Sequence, residues 1–568
     1  MPKQKRPQYV GDFETTTDPN DVRVWASCLV NIDTAETAFI GNDIDSMFEF
    51  LKNQNSVVYF HNLKFDGEFI ISYLLRNGYK YSEEAHTPKT FETLITDSGV
   101  FYSITIYFSV EKKSYKKVVI YDSLKKLPFK VAVIAKAFNL KDEKLSIDYN
   151  APRPVGHILT KEEEDYIVAD CRIVAQALKI QFDQGLTKMT NASDAMTGYK
   201  TIIKRENFER WFPVFPIPID YDIRGAYKGG FTYLNPRYKD KRIKGGVTLD
   251  VNSLYPSCMY NEILPYSYPV YFEGEYEPDE NYPLYIVKLR CMFELKEGHI
   301  PTIQLKNNMA FIQTEYLTSS NGEEVTLTLT NVDLALFLDH YNVEFLEYQC
   351  GYKFKGVQGL FKDYIDHWMH IKETNTGALR QLAKLMLNSL YGRFAMNPQA
   401  YKKVPYLDGD GVVRYEVIKT DETAKKFKAK EPELRDPVYT AMGCFITAYA
   451  RNKTIRSAQS VYDRFIYADT DSLHLEGFEI PKGLEVHPTK LGAWKHEGNF
   501  TDSLFVRAKT YLETIDGELK VTCAGMPDNV KELVTYENFH SGSTFGGKLL
   551  PRRHAGGVVL EETNFTIK

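Results

Sequence analysis

The sequence predicts a multidomain chain of mixed α/β and α+β class. Its 568 residues suffice for several domains of ordinary size. Hydrophobic residues at 43% and charged residues at 26% are the balance of a chain that buries cores rather than stays disordered. Residues 1–190 alternate short β-rich runs with helical spacing, as an α/β unit does, while 262–360 form a mixed block rich in Tyr and Glu.

Taken in order, Asp12-Phe13-Glu14 sits where a strand is expected, and further β-type runs fall at 104–109 and 117–121. Residues 162–181 carry helical spacing through Tyr166, Ile167, Cys171, Val174 and Leu178, with Gly185 just past the end as a stop signal. A strand from Val247 runs into Asp250 and is followed by Ser253-Leu254-Tyr255-Pro256. Residues 378–391 read as an amphipathic helix. The polar stretch 399–435 has Asp408-Gly409-Asp410-Gly411 at a turn, which predicts a β-hairpin. A second helix follows around 444–460, then a strand, turn and strand centred on Thr470.

The formal net charge of −5 is not that of a uniformly basic nucleic-acid binder. The cations are clustered, however. Residues 237–244 hold five, 425–430 four and 112–117 another four, so a basic channel can hide in an acidic total. Aromatics make up 14%; stacking on bases is one use for them, and core packing the commoner one. Met1-Pro2-Lys3-Gln4-Lys5-Arg6 is basic but no apolar segment follows, which argues against secretion. Apolar stretches such as 69–75 are too short to span a bilayer. Seven scattered cysteines without a CxxC pair predict a reduced protein lacking structural zinc.

Two sets of carboxylates carry the chemistry. In the first, Asp12 and Glu14 are i, i+2 on a strand and share a face; Asp66 lies in His61-Asn62-Leu63-Lys64-Phe65-Asp66; Tyr166 and Asp170 are i, i+4 on a helix. Four acids on one point repel unless cations sit between them, and two divalent metals would also stabilise the attacking and leaving oxygens of a phosphodiester. An Asp-x-Glu alone reads more readily as a solvated surface; three such segments together do not. In the second set, Asp469 and Asp471 flank Thr470 in Tyr467-Ala468-Asp469-Thr470-Asp471-Ser472, to be joined by Asp250. Metals there would lower the pKa of a primer hydroxyl and hold a triphosphate. On the helix before Gly392, Arg380, Lys384, Asn388 and Tyr391 are spaced to line one face, suited to clamping a nucleoside triphosphate.

These motifs resemble those of family B DNA polymerases. Asp12-x-Glu14, Asn62-x-x-Phe65-Asp66 and Tyr166-x-x-x-Asp170 match the three exonuclease motifs. Asp250-x-x-Ser253-Leu254-Tyr255-Pro256, Lys384-x-x-x-Asn388-Ser389-x-Tyr391-Gly392, Tyr467-x-Asp469-Thr470-Asp471-Ser472 and Lys509-Thr510-Tyr511 match the polymerase motifs. Tyr227-Lys228-Gly229-Gly230 and Tyr121-Asp122-Ser123-Leu124-Lys125-Lys126-Leu127-Pro128 resemble the protein-primed, phi-29-type phage branch.

The resemblance implies an RNase H-like 3′–5′ exonuclease domain (1–190) and a right-hand polymerase domain with two insertions. Its parts would be palm (191–261 and 437–525), a first insertion that meets a terminal protein (262–360), fingers (361–395), a strand-displacement hairpin (396–436) and thumb (526–568). It implies two Mg²⁺ or Mn²⁺ ions per centre, on Asp12, Glu14, Asp66 and Asp170, and on Asp250, Val251 and Asp471. Tyr166 and Lys144 would assist hydrolysis, and Asp469 would support polymerisation. Tyr255, Lys372, Arg380, Lys384, Asn388 and Tyr391 would hold the nucleotide. Thr15, Asn62, Phe65, Ser123, Leu124, Tyr227, Gly229, Gly230, Lys509 and Tyr511 would hold DNA. Expected partners are primer-template DNA, dNTPs, a terminal protein and a single-stranded-DNA-binding protein, with the chain a monomer or a heterodimer with its terminal protein in the host cytoplasm. Against the type member the second insertion is longer and richer in lysine, and 511–523 is shorter. A reverse transcriptase or RNA polymerase is the first rival, opposed by the exonuclease set and by Tyr255 as a bar to a 2′-hydroxyl. A nuclease or replication factor with a degenerate palm is the second, opposed by the complete motifs.

Overall fold

The structure is a computed structural model that describes residues 6–111, 114–304 and 316–568. Lys3, Lys5, Lys112 and Lys113 of the basic runs, and 305–315 of the 262–360 block, lie outside the described residues.

Among the described residues, 8–122 build an eight-stranded sheet in the order Thr37–Gly41, Val24–Asn31, Gln8–Thr15, Ser56–Phe60, Ser114–Asp122, Phe101–Glu111, Thr90–Ile95 and Lys80–Tyr81. Gln8–Thr15 runs antiparallel to Val24–Asn31 and parallel to Ser56–Phe60. Ser56–Phe60 is buried along its whole length, which requires cover on both faces. Helix Leu63–Arg76 supplies one cover, packing Phe69 and Ile70 with Leu29, Val58 and Phe60. Helix Lys161–Asp183 supplies the other, packing Ile167 and Val174 with Ala26, Cys28 and Val30. That second helix opens on a capping box, in which Thr160 Oγ accepts from Glu163 N and Glu163 accepts from Thr160 N, and it stops before Gly185 at φ +76°.

A second sheet of five antiparallel strands has the order Trp494–Phe500, Gly246–Val251, Ser472–Glu476, Phe465–Asp469 and Thr232–Leu234. Helix Thr440–Ser460 packs against it, its residues buried nearly all round. Beside it, Arg242–Ile243, Asp502–Arg507, Thr510–Ile515 and Glu518–Cys523 form a small sheet; the short 511–523 run is a hairpin turned at Asp516 and Gly517. The 262–360 block is a four-stranded sheet in the order Leu264–Glu273, Tyr341–Val357, Leu284–Leu295 and Val325–Thr330, followed in the chain by helix Asn331–His340 after the last of these.

The expected hairpin is present as Lys402–Leu407 and Val413–Ile418, with Asp408 capping its turn. Helix Asp421–Phe427 follows the hairpin, and the short pair Gln399–Ala400 with Glu433–Leu434 closes the loop. Val404, Val413, Ile418 and Ala424 are buried in the same apolar cluster as Phe69 and Phe101, so the hairpin is docked on the first sheet's domain, not a free solvated loop. The long C-terminal hairpin Thr544–His554 and Gly557–Thr566 ends the chain. No helix among the described residues is long and apolar enough to cross a membrane.

One buried ion pair ties three parts together. Arg451, 2% exposed, donates to both oxygens of Asp333 and to the carbonyls of Lys228 and Gly229. Asp333→Ala leaves that guanidinium half-satisfied, and should cost roughly 3 kcal/mol, the low end for breaking a buried pair. The check is the thermal unfolding midpoint, which should fall.

Candidate functional site

The first carboxylate set assembles at one end of the eight-stranded sheet. Asp12 and Glu14 project from Gln8–Thr15, Asp66 from the first turns of Leu63–Arg76, and Asp170 from Lys161–Asp183. Glu14, Asp66 and Asp170 are each less than 9% exposed. Asn62 adopts φ +65° just before the Asp66 helix, and Asp122 holds that turn by accepting from the backbone N–H of Asn62, Leu63 and Leu124. Burial first, then repulsion from Asp170, pushes Asp12 up to about 7. Burial and the neighbouring acids likewise raise Glu14 and Asp66, and burial raises Asp170 despite Lys144.

Lys144 lies in the site. Its ammonium contacts an Asp170 oxygen, lies 3.4 Å from the Tyr166 hydroxyl and 5.2 Å from the centroid of that ring. Burial alone would lower the Lys144 pKa, but the bond and charge of Asp170, together with Tyr149 and Asp12, raise it. Tyr166 is buried and bonds to Tyr149, a residue no motif pointed to. The Tyr149 loop is held by Arg153, whose guanidinium bonds to Asp148 O and Glu163 and stacks 4.0 Å from the Trp25 ring. Burial would raise Glu163, yet bonds from Thr160 N, His157 and Arg153 bring it down to about 2.

Thr15, Phe65 and Leu124 are half-buried and Asn62 is exposed, so their side chains are accessible beside the acids. Ser123 differs. It is fully buried, donating to Phe60 O with its hydroxyl also 3.0 Å from His61 Nδ1, so it braces the His61–Asn62 turn and has no surface to offer a strand.

The second set is built by strand register. Asp250 is opposite Ser472, and Val251 N donates to Asp471 O at 2.8 Å, which brings Asp250 beside Asp471. Thr470 turns the chain at φ +59°, and its N–H bonds to Phe231 O. Burial, then repulsion from Asp471, pushes Asp250 up to about 7; burial raises Asp471 as well. Asp469 faces elsewhere. It accepts from Lys509 at 2.8 and 2.9 Å and from Thr232 at 3.1 Å, so it positions the turn and Lys509. Tyr511 stacks on Phe505 beside Tyr467, whose hydroxyl accepts from Lys509 N. The Val251 side chain is buried and apolar, which leaves only its main-chain carbonyl as a donor to any ion.

Gly230 packs against the Asp469–Asp471 turn: a Cβ there would stand 2.6 Å from Thr470 Oγ1, whereas one on Gly229 would meet nothing. Tyr227 is half-buried near Gly443. Lys372 on helix Lys362–Thr374 donates to Ser253 Oγ at 3.0 Å, and Arg380 donates to Lys372 O. Burial, then Arg380 and Lys384, lowers the Lys372 pKa, with Glu373 opposing the shift. Lys384 and Asn388 are exposed on helix Gly377–Ser389. That helix stops short of Tyr391, which begins a separate turn and stacks on Tyr255 at 4.2 Å.

A family model for DNA polymerase type B, organellar and viral, matches residues 48–160 and 146–487. The chain belongs to that family. It is 48% identical to the DNA polymerase of Bacillus phage phi29 over 588 residues, covering all of both chains, and 33% identical to that of Streptococcus phage Cp-1, covering 99% and 98%. Its fold matches phi29 DNA polymerase complexed with primer-template DNA and incoming nucleotide substrates, with a TM-score of 0.93, 48% identity and coverage of 99% and 100%. The enzyme is therefore a family B DNA polymerase with exonuclease and polymerase domains, and membership implies a divalent metal cofactor.

The residues present fit such a cation. The donors are hard carboxylate oxygens, and Asp170 Oδ1 is buried with no hydrogen-bond partner. Among the described residues no three acids yet converge at ligating distance of one point, since Asp170 turns to Lys144 and Asp469 to Lys509.

Asp12 and Asp250 rise from 3.8 to about 7, so in metal-free protein the folded state holds protons that the unfolded state releases. Their contribution to stability is full below about 3.8 and is lost as pH rises through about 7. Chelated protein should accordingly unfold at lower temperature at pH 8 than at pH 6, and Asp250→Asn should flatten part of that slope.

Proposed function

We propose that this polymerase replicates a linear phage genome by protein-primed, strand-displacing synthesis and proofreads its own product in the host cytoplasm. The observation that carries the proofreading half is that the two carboxylate centres stand on separate sheets. Asp250 and Asp471 would extend the primer, and Asp12, Glu14, Asp66 and Asp170 would hydrolyse it. Two Mg²⁺ or Mn²⁺ ions per centre, when bound, would activate the attacking oxygen and offset charge on the leaving one. The chain's own groups do the rest. Tyr166, braced by Tyr149 and Lys144, would orient the water of hydrolysis. Lys372, Arg380, Lys384 and Asn388 would take the triphosphate, relieving the crowding of their own charges. Lys509 and Tyr511 would seat the primer end, while Thr15, Asn62, Phe65 and Leu124 would take a frayed strand.

Tyr227 to Gly230 would guide the template between the centres, held at Lys228 and Gly229 by Arg451. The sheet at 264–357 would receive a terminal protein whose hydroxyl replaces the primer 3′-OH. Exposed Lys425, Lys426, Lys428 and Lys430 around helix Asp421–Phe427 would contact phosphates.

Asp471→Ala should abolish dNTP incorporation and leave degradation of single-stranded DNA, while Asp12→Ala with Glu14→Ala should do the reverse. Loss of both activities in either variant, or of neither, defeats the division of labour; it is read by primer extension and single-strand degradation in parallel.

Tyr255, stacked on Tyr391, would exclude a 2′-hydroxyl by bulk. Tyr255→Val should raise ribonucleotide incorporation relative to dNTP by about 10-fold or more, measured as the ratio of kcat/KM values.

A further inference from the structure

Glu68 is a buried carboxylate that neither chemistry uses. It lies on helix Leu63–Arg76 two residues past Asp66, is 4% exposed, and points away from the acidic centre. One oxygen accepts from Arg553 Nε at 2.9 Å and the other from the Tyr415 hydroxyl at 3.0 Å. The Arg553 guanidinium lies 4.6 Å from the centroid of the Tyr415 ring, so the three groups close on one another.

Each belongs to a different arm. Arg553 is near the tip of the C-terminal hairpin, and Tyr415 is on the docked insertion. The tip itself meets the exonuclease domain at close range: a Cβ on Gly556 would stand 2.4 Å from Val22 O, and one on Gly557 would stand 2.4 Å from the Phe69 ring. The two arms also touch each other, through a bridge between Val412 and Ala555. A second acid, the half-buried Glu83, anchors the insertion, pairing with Lys402 and accepting from Lys430 N.

The contacts therefore form a closed circuit. The C-terminal hairpin is rooted at the small sheet by way of Val506, Leu512 and Phe545, and reaches the exonuclease domain at its tip. The insertion leaves the fingers near Met396 and reaches the same helix. A buried carboxylate shared by both arms couples them, because parting either arm from the helix forfeits a hydrogen bond to that charge.

We propose that Glu68 is a latch: it fastens both arms to the exonuclease domain so that DNA within the circuit leaves by sliding off an end, and sideways release requires the Glu68–Arg553–Tyr415 junction to open. This rests on the proposed contact of the insertion's lysines with DNA phosphates, and takes the two arms, joined at their tips, to surround the duplex. It adds which contact must break, and it separates two kinds of DNA. A short linear primer-template can slide out through a closed ring. A primed single-stranded circle has no end, so it enters and leaves only through an opening.

The test uses the full-length enzyme, Glu68→Gln and Arg553→Gln, with loading and trapped dissociation timed on primed circles and on short linear primer-templates. Arg553→Gln leaves the exonuclease helix untouched, which guards against a local effect on Asp66. Both variants should load onto and leave circles faster by roughly 10-fold, the loss of one hydrogen bond to a charged group. Their rates on linear DNA, single-nucleotide insertion and single-strand degradation should stay within about twofold, this being within the scatter of the magnitude. Unchanged rates on circles in both variants would overturn the latch, as would an equal rise on circles and linear DNA, which would mark the junction as ordinary grip. If the unsubstituted enzyme releases circles and linear DNA at the same rate, the encircling reading itself fails, and the latch with it.

Discussion

The antiparallel pairing of Gly246–Val251 with Ser472–Glu476 carries the second carboxylate centre. Asp250 and Asp471 lie more than two hundred residues apart, and only this register sets one beside the other. The bond from Val251 N to Asp471 O then closes the turn that Thr470 makes at positive φ. A slip of one residue would send Asp250 to the opposite face, because strand side chains alternate. The surroundings guard that register. Gly246 lies where a Cβ would collide with Phe500 and Leu475 O, and Gly230 abuts Thr470 from the far side.

Placing like charges together in partly buried sites has a cost, and the chain's own groups meet it in two ways. Some carboxylates are raised towards the protonated form, as at Asp12 and Asp250. Others are answered by a lysine, as Asp170 is by Lys144 and Asp469 by Lys509. Lys372, beside Arg380 and Lys384, is the cationic counterpart.

Ordinary apolar burial ties the two enzymatic domains together. Residues of the docked insertion and of the C-terminal hairpin share a core with the exonuclease helix. The exonuclease domain is thus also the wall against which the insertion and the C-terminal hairpin pack. Within that wall Asp66 faces the chemistry, and Glu68 faces the arms.

The amino-acid sequence by itself determined the mixed fold class, the strand bearing Asp12 and Glu14, the helix bearing Tyr166 and Asp170, and the grouping of acids into two sets. Those features follow from local period and from motif spacing, which survive in one dimension. It did not disclose Tyr149, the Arg451–Asp333 pair or the Glu68 junction, since nothing in their spacing marks them and their partners are more than a hundred residues distant, except for Tyr149, whose irregular loop has no period at all. Ser123 read as a DNA contact, and the burial of its hydroxyl against Phe60 O and His61 was invisible before the chain folds. The docking of the lysine-rich hairpin was hidden for the same reason: Val404, Val413 and Ile418 are too few to mark a core, and become one only when Phe69 and Phe101 meet them. Tertiary structure decided which charges face each other, since pairing, desolvation and repulsion depend on distance in space.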